Sequence, residues 1–144
     1  MFGIIVGTHG QFAPGIVQSC EMIFGKRDKL KAVTLMPGEG PDDVVAKYEK
    51  AIAELGTEKI LFFNDLLGGS PYNAACRLVA TNENYGIVAG VNLPALIAMS
   101  ALQDSDDGSA TIADIMQQAL AAVKDGALIS SYESLNVESD EEEL

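Results

Sequence analysis

The sequence predicts an α/β fold: a mainly parallel, open sheet with helices on both faces. Three observations carry this. Short apolar runs recur at residues 2–6, 32–35, 60–63 and 85–89, as strands buried on both faces require. Between them lie stretches whose apolar residues return at helical spacing. The regular alternation implies right-handed crossovers between parallel strands. With 144 residues, 48% of them apolar, no dividing linker and no internal repeat, the chain suits a single domain.

Each element has a local cause. Residues 2–6 form the first strand, ending at Gly7-Thr8-His9-Gly10. Ala13, Ile16, Val17, Cys20, Ile23 and Phe24 mark the first helix, with Pro14 near its first turn and Gly25 ending it. Residues 26–31 make a basic turn into the second strand. Pro41 suits a first helical position, and Asp42 and Asp43 suit the positive helix end. Val44, Val45, Tyr48, Ile52 and Leu55 are that helix's apolar stripe, and Gly56 stops it. After the third strand and the loop at residues 64–69, Ser70 is the expected cap and Pro71 an early helical residue, with the helix running to about Asn82.

The fourth strand leads through Gly90 to a helix opened by Pro94 and ending near Gln103. Thr111 and Asp114 form an expected capping box before a stripe of Ile112, Ile115, Met116, Ala119, Leu120 and Val123. Residues 127–131 are expected as a last short strand. The chain thus divides into a folded domain, 1–131, and an acidic tail, 132–144, expected to be disordered.

The formal charge is -12, and five of the 21 acids lie in the last seven residues. The other 16 still outnumber the nine bases, which argues against a nucleic-acid partner and for a basic protein surface. Cys20 and Cys76 sit among core-like residues and suggest no disulfide framework. There is no signal-peptide pattern and no apolar stretch of membrane-spanning length, so the expectation is a cytoplasmic protein without membrane insertion.

In an open parallel sheet, reacting groups collect beyond the carboxyl ends of the strands. His9, the single histidine, stands at the end of the first strand, and Asp65 stands at the end of the third. If those strands are neighbours, the two face one crevice. The carboxylate would accept from one ring nitrogen, fix the tautomer and leave the other nitrogen's lone pair directed outward. Thr8, Ser70 and the backbone N–H groups at Gly69 and Ser70 are candidate anion donors. Gly68 and Gly69 would let a phosphoryl-sized anion approach the backbone. Singly, each feature has an ordinary structural use: a strand-end histidine, a loop-capping aspartate, a tight turn, a helix cap. Their joint occurrence on one sheet edge selects a functional site.

Competing motifs fail. Tyr72 occupies the last glycine position of a nucleophile elbow, and no Walker or dinucleotide loop is present. One histidine and two distant cysteines do not make a zinc site. The loop holding Asp104, Asp106, Asp107 and Gly108 has its glycine and its final carboxylate out of place for calcium. No metal or cofactor is expected.

From residue 2 to about 131 the sequence resembles the enzyme IIA domain of the mannose-type (mannose/fructose/sorbose) sugar phosphotransferase system. The resemblance rests on Ile4-Ile5-Val6-Gly7-Thr8-His9-Gly10, Pro37-Gly38-Glu39, Asp65-Leu66-Leu67-Gly68-Gly69-Ser70-Pro71-Tyr72-Asn73-Ala74-Ala75 and Ala89-Gly90-Val91-Asn92-Leu93-Pro94, in that order. It implies a stand-alone enzyme IIA that accepts a phosphoryl group on His9 from the phosphorylated carrier HPr and passes it to a cognate enzyme IIB. Asp65 is implied as the carboxylate partner of His9, and Thr8, Gly68, Gly69 and Ser70 as phosphoryl-binding positions. It further implies a homodimer in which residues 127–131 form an antiparallel strand exchanged between subunits. Two other readings remain open at this point. One is the similar phosphotransfer subunit that serves dihydroxyacetone kinase. The other is a non-catalytic regulatory module binding protein partners through the same face.

Overall fold

A computed structural model describes residues 1–143, with side chains described through Val137. Four strands, β1 (Gly3–His9), β2 (Leu30–Leu35), β3 (Ile60–Asn64) and β4 (Tyr85–Ala89), form one all-parallel sheet in the order β2-β1-β3-β4. The helices between them are α1 (Phe12–Phe24), α2 (Pro41–Leu55) and α3 (Gly69–Val79); α4 (Leu93–Ser105), α5 (Ile112–Asp125) and α6 (Tyr132–Glu143) follow β4. The expected α/β architecture is the observed one.

Strand periodicity separates the core into two layers. Ile4, Val6, Leu61 and Phe63 pack with Ile16, Cys20, Leu96, Met99 and Ile115, so α1, α4 and α5 cover one face. Ile5, Ile60 and Phe62 pack with Val44, Tyr48, Leu55 and Ala74, so α2 and α3 cover the other. The chain steps from β1 outward to β2 and then crosses back over β1 to β3. The switch point of the fold therefore falls between the carboxyl ends of β1 and β3, where ligands of open α/β sheets collect.

Most element starts agree with the sequence reading. Pro41 is the first residue of α2, and Thr111 and Asp114 exchange capping hydrogen bonds of 3.1 and 3.2 Å at the start of α5. Asn92 caps α4 by accepting from the Ala95 N–H at 3.0 Å and donates to the Val123 carbonyl, which ties α5 to the β4–α4 turn.

Two expectations are corrected. β1 runs three residues beyond Val6, because Gly7, Thr8 and His9 continue their pairing with β2 as far as His9 opposite Leu35. α3 is capped by Gly68, not Ser70, and ends at Val79; Ser70 lies inside its first turn. Residues 127–131 have no ladder within the single chain; the strand expected there is one shared between two subunits. Residues 132–143 form α6, at whose start Ser131 and Ser134 exchange N–H to hydroxyl bonds of 2.9 and 3.1 Å. Leu144, the last residue of the acidic tail, lies outside the described residues.

One close approach fixes the geometry beneath the strand ends. A Cβ on Gly7 would fall on the Tyr48 hydroxyl and 2.7 Å from two of its ring carbons, so α2 lies against β1 only because residue 7 has no side chain. Gly7→Ala is expected to lower the unfolding free energy by about 3 kcal/mol, the upper range for an overpacked core. Urea denaturation measures it, and a change below about 0.5 kcal/mol, the usual scatter of surface substitutions, would contradict this packing.

Candidate functional site

His9 is the last residue of β1, and Asp65 follows directly on β3. Because the two strands are paired, with Gly7 opposite Asn64, the side chains meet across the switch point. One carboxylate oxygen of Asp65, Oδ2, accepts twice from the same residue: from the His9 backbone N–H at 3.0 Å and from ring Nδ1 at 2.7 Å. The other oxygen, Oδ1, accepts from the Leu66 N–H at 3.2 Å. An ionised carboxylate only accepts, so Nδ1 carries a hydrogen and, in the neutral ring, Nε2 holds the free lone pair. The His9 side chain is 46% exposed, whereas that of Asp65 is 12% exposed. The base is thus presented to solvent on a partly sheltered carboxylate.

The first turn of α3 closes over the ring. A Cβ on Gly69 would lie 3.0 Å from His9 Cε1 and 3.2 Å from Nε2, and its φ of 79° already lies in the left-handed region. Gly68, the N-cap, has no side chain to accept from the first-turn N–H groups, so this positive helix end is left open beside Nε2. The arrangement can hold an oxyanion while a nucleophilic nitrogen bonds to its central atom.

Of the sequence-predicted site residues, His9, Asp65 and Gly69 are brought together. Gly68 and Ser70 flank Gly69 in the cap and first turn of α3. Thr8 is placed differently. It is fully buried, and its hydroxyl accepts from the Ala13 N–H at 2.7 Å and donates to the His9 carbonyl at 3.2 Å. Thr8 therefore caps α1, whose own N-cap Gln11 makes no capping side-chain bond, and holds the turn after His9.

Two residues escaped the sequence reading. Tyr48 looked like one more member of the α2 stripe, and Asn64 like a loop residue. Both are fully buried beneath the site. Asn64 Nδ2 donates to the Gly7 carbonyl at 2.8 Å and to the Tyr48 hydroxyl at 3.0 Å, and that hydroxyl donates to the Pro71 carbonyl at 2.8 Å. Burial, more than any neighbouring charge, pushes the Tyr48 phenol well above its usual range, so it keeps its hydrogen. An asparagine directly after an apolar run was the available sign that a polar side chain enters the core. On the other flank, Lys47 donates to Glu39 at 2.7 Å and to the Thr34 carbonyl at 2.8 Å. It holds the loop at residues 36–40 and, with the Met36 N–H, lowers the Glu39 pKa. Among the described residues no three His, Cys, Asp or Glu side chains converge as metal ligands would.

Known proteins share this sequence pattern and this fold. The family described as PTS system fructose IIA component matches residues 3–128. The PTS system mannose-specific EIIAB component of Escherichia coli K12 is 38% identical over 104 residues, 72% of this chain. The chain spans about a third of that relative's length, 32% of it being matched. The PTS system fructose-specific EIIA component of Bacillus subtilis is 37% identical over 105 residues, 72% of each chain. Among solved structures, a phosphotransferase system component EIIA from Streptococcus agalactiae superposes with a TM-score of 0.80 over 90% of this chain and 97% of its own. At 24% identity it speaks for the fold alone.

Two substitutions test the geometry. Asp65→Asn is expected to move His9 from a single Nδ1–H tautomer toward a mixture, read from the ¹⁵N shifts of the ring. Unchanged shifts would mean that the carboxylate does not set the tautomer. Gly69→Ala is expected to displace the ring and to destabilise the fold by about 1 kcal/mol or more through its backbone alone, measured by thermal unfolding.

Proposed function

Since the chain belongs to the mannose/fructose/sorbose family of phosphotransferase system IIA components, and so to the machinery of sugar phosphotransfer, we propose that it is the phosphoryl carrier in which His9 is loaded by phosphorylated HPr and unloaded by a cognate enzyme IIB. The observation that carries this reading is the 2.7 Å bond from His9 Nδ1 to Asp65, which leaves Nε2 as an outward nucleophile beside an uncapped helix end.

Loading is an in-line displacement between two histidines. The Nε2 lone pair of neutral His9 forms a bond to phosphorus while the donor's nitrogen–phosphorus bond breaks, and the electron pair of that bond stays with the donor nitrogen. The hydrogen on Nδ1 remains in place. Asp65 offsets the positive charge that the ring gains, and the Gly69 and Ser70 N–H groups with the Ser70 hydroxyl receive the phosphoryl oxygens. Thr8 contributes by holding the turn. Unloading to the IIB is the same step reversed in direction, so one geometry serves both.

The rim suits brief protein docking. Phe12, Leu66 and Leu67 are 48%, 50% and 75% exposed on the segments that flank His9 and Asp65, on a chain of formal charge -12. Apolar residues at the centre of such a contact supply affinity, and acidic surroundings favour a basic partner face. No described helix is long and apolar enough to cross a membrane, and on the carrier reading the chain would act in the cytoplasm.

We also propose a homodimer. β4 is an edge strand with an unpaired side, and beside it lies an apolar groove of about 400 Å³ lined by Tyr72, Cys76, Val79, Tyr85, Ile87 and Met116. Leu128 and Ile129, 88% and 94% exposed, are apolar side chains without a surface to cover in the single chain. Exchange of residues 127–131 between two copies would complete both, each side chain contributing about 1.5–3 kcal/mol on burial.

Incubation with enzyme I, HPr and phosphoenolpyruvate is expected to add one acid-labile phosphoryl group, seen by intact mass and mapped to His9, with none on His9→Ala. Absence of transfer to the folded chain from active donors would overturn the carrier reading. Sedimentation is expected to give a dimer for the chain and a monomer for Leu128→Asp with Ile129→Asp; a monomeric parent chain would end the exchange proposal.

A further inference from the structure

The buried Tyr48 hydroxyl stands under three parts of the site at once. It donates to the carbonyl of Pro71, two residues after Gly69 on α3. It accepts from Asn64, the residue before Asp65. Through the same amide it is linked to the carbonyl of Gly7, two residues before His9. The nucleophile, its carboxylate and the helix end beside Nε2 come from three separate segments, and this is the polar joint that connects all three.

Three departures from a plain apolar core converge at that joint. A phenol stands on the α2 stripe where leucine or phenylalanine would fill the layer. Residue 7 must lack a side chain to admit it. The Asn64 amide is fixed with its nitrogen toward both the Gly7 carbonyl and the phenol oxygen. Burying a phenol and an amide costs their hydration, and a core built only for stability would use apolar groups of the same shape. Departures of this kind concentrate where placement matters more than stability.

We propose that Tyr48 is a positioning residue for phosphoryl transfer: its hydroxyl sets the spacing between the first turn of α3 and the His9–Asp65 pair. The inference rests on the carrier reading of His9 for its kinetic arm only. Tyr48 touches neither the ring nor the incoming group; it acts through Pro71 and Asn64. Loss of the hydroxyl leaves the Pro71 carbonyl without this donor and the Asn64 amide without this acceptor. The α3 end can then shift relative to Nε2, and a displacement near 1 Å is enough to slow a transfer about a hundredfold.

The test is Tyr48→Phe, which retains the edge-on ring packing against Phe62, whose centroid lies 5.0 Å away. Single-turnover transfer from phosphorylated HPr is expected to slow by about tenfold to a hundredfold at saturating donor. The half-saturating donor concentration should not change, because the docking rim is untouched. Independently of any donor, ¹⁵N spectra should show the His9 ring and the Gly69 and Ser70 amides shifted or broadened. Ile115→Val, a conservative cavity in the opposite core layer, is the control for general destabilisation and should leave both readouts alone. Asn64→Ala, which keeps the phenol but removes its N–H donor, is the second variant and should reproduce the slowing and the shifts if Tyr48→Phe does not fold. Parent-like rates and spectra in a folded variant would overturn the positioning role. If the parent chain takes no phosphate, the carrier reading fails, and the spectral arm still decides whether Tyr48 places the His9–Asp65 pair.

Discussion

The hydrogen bond from His9 Nδ1 to Asp65 Oδ2 can form only because β1 and β3 are neighbours. These residues are 56 positions apart, and no local rule brings them together. The crossover from β2 over β1 to β3 does so, and it is stable because α2 buries an apolar stripe against the face it crosses. Everything chemical at the site follows from that adjacency: the tautomer, the outward Nε2, and the helix that starts just after Asp65 and leans its first turn on the ring.

The site's rigidity is distributed rather than local. Asp65 holds both the backbone and the ring of His9, Thr8 holds the turn after it, and Lys47 holds the loop on one flank through Glu39. None of these groups needs to move for Nε2 to react. Such a fixed site would suit the proposed carrier, with the partner proteins as the moving parts.

Much of this is legible in the sequence. Pro41, Thr111 with Asp114, and the apolar run of β4 act through neighbours a few residues away, and their elements stand where local chemistry puts them. His9 and Asp65 were also readable, since alternating strands and helices place strand ends on one edge. The failures share a cause. The extension of β1 to His9 depends on pairing with β2, a partner distant in sequence. Ser70 has the composition of a cap, yet two glycines before it can take the turn, and the helix begins earlier. Tyr48 and Thr8 are ordinary residues on an apolar stripe and near a strand end; which group each hydroxyl meets is decided by tertiary packing. Residues 127–131 have strand composition, and their pairing depends on a second backbone beyond the single chain.

The exposure of His9 has a consequence for how long a charge can be held. Nearly half of its side chain faces water, and the adjoining helix end is bare backbone. On the proposed carrier reading, a phosphoryl group on Nε2 would stay in contact with water. The fold would then suit a relay better than a reservoir: its cargo would be kept by speed of hand-over, and the supply of unloaded acceptor would govern how much of it survives.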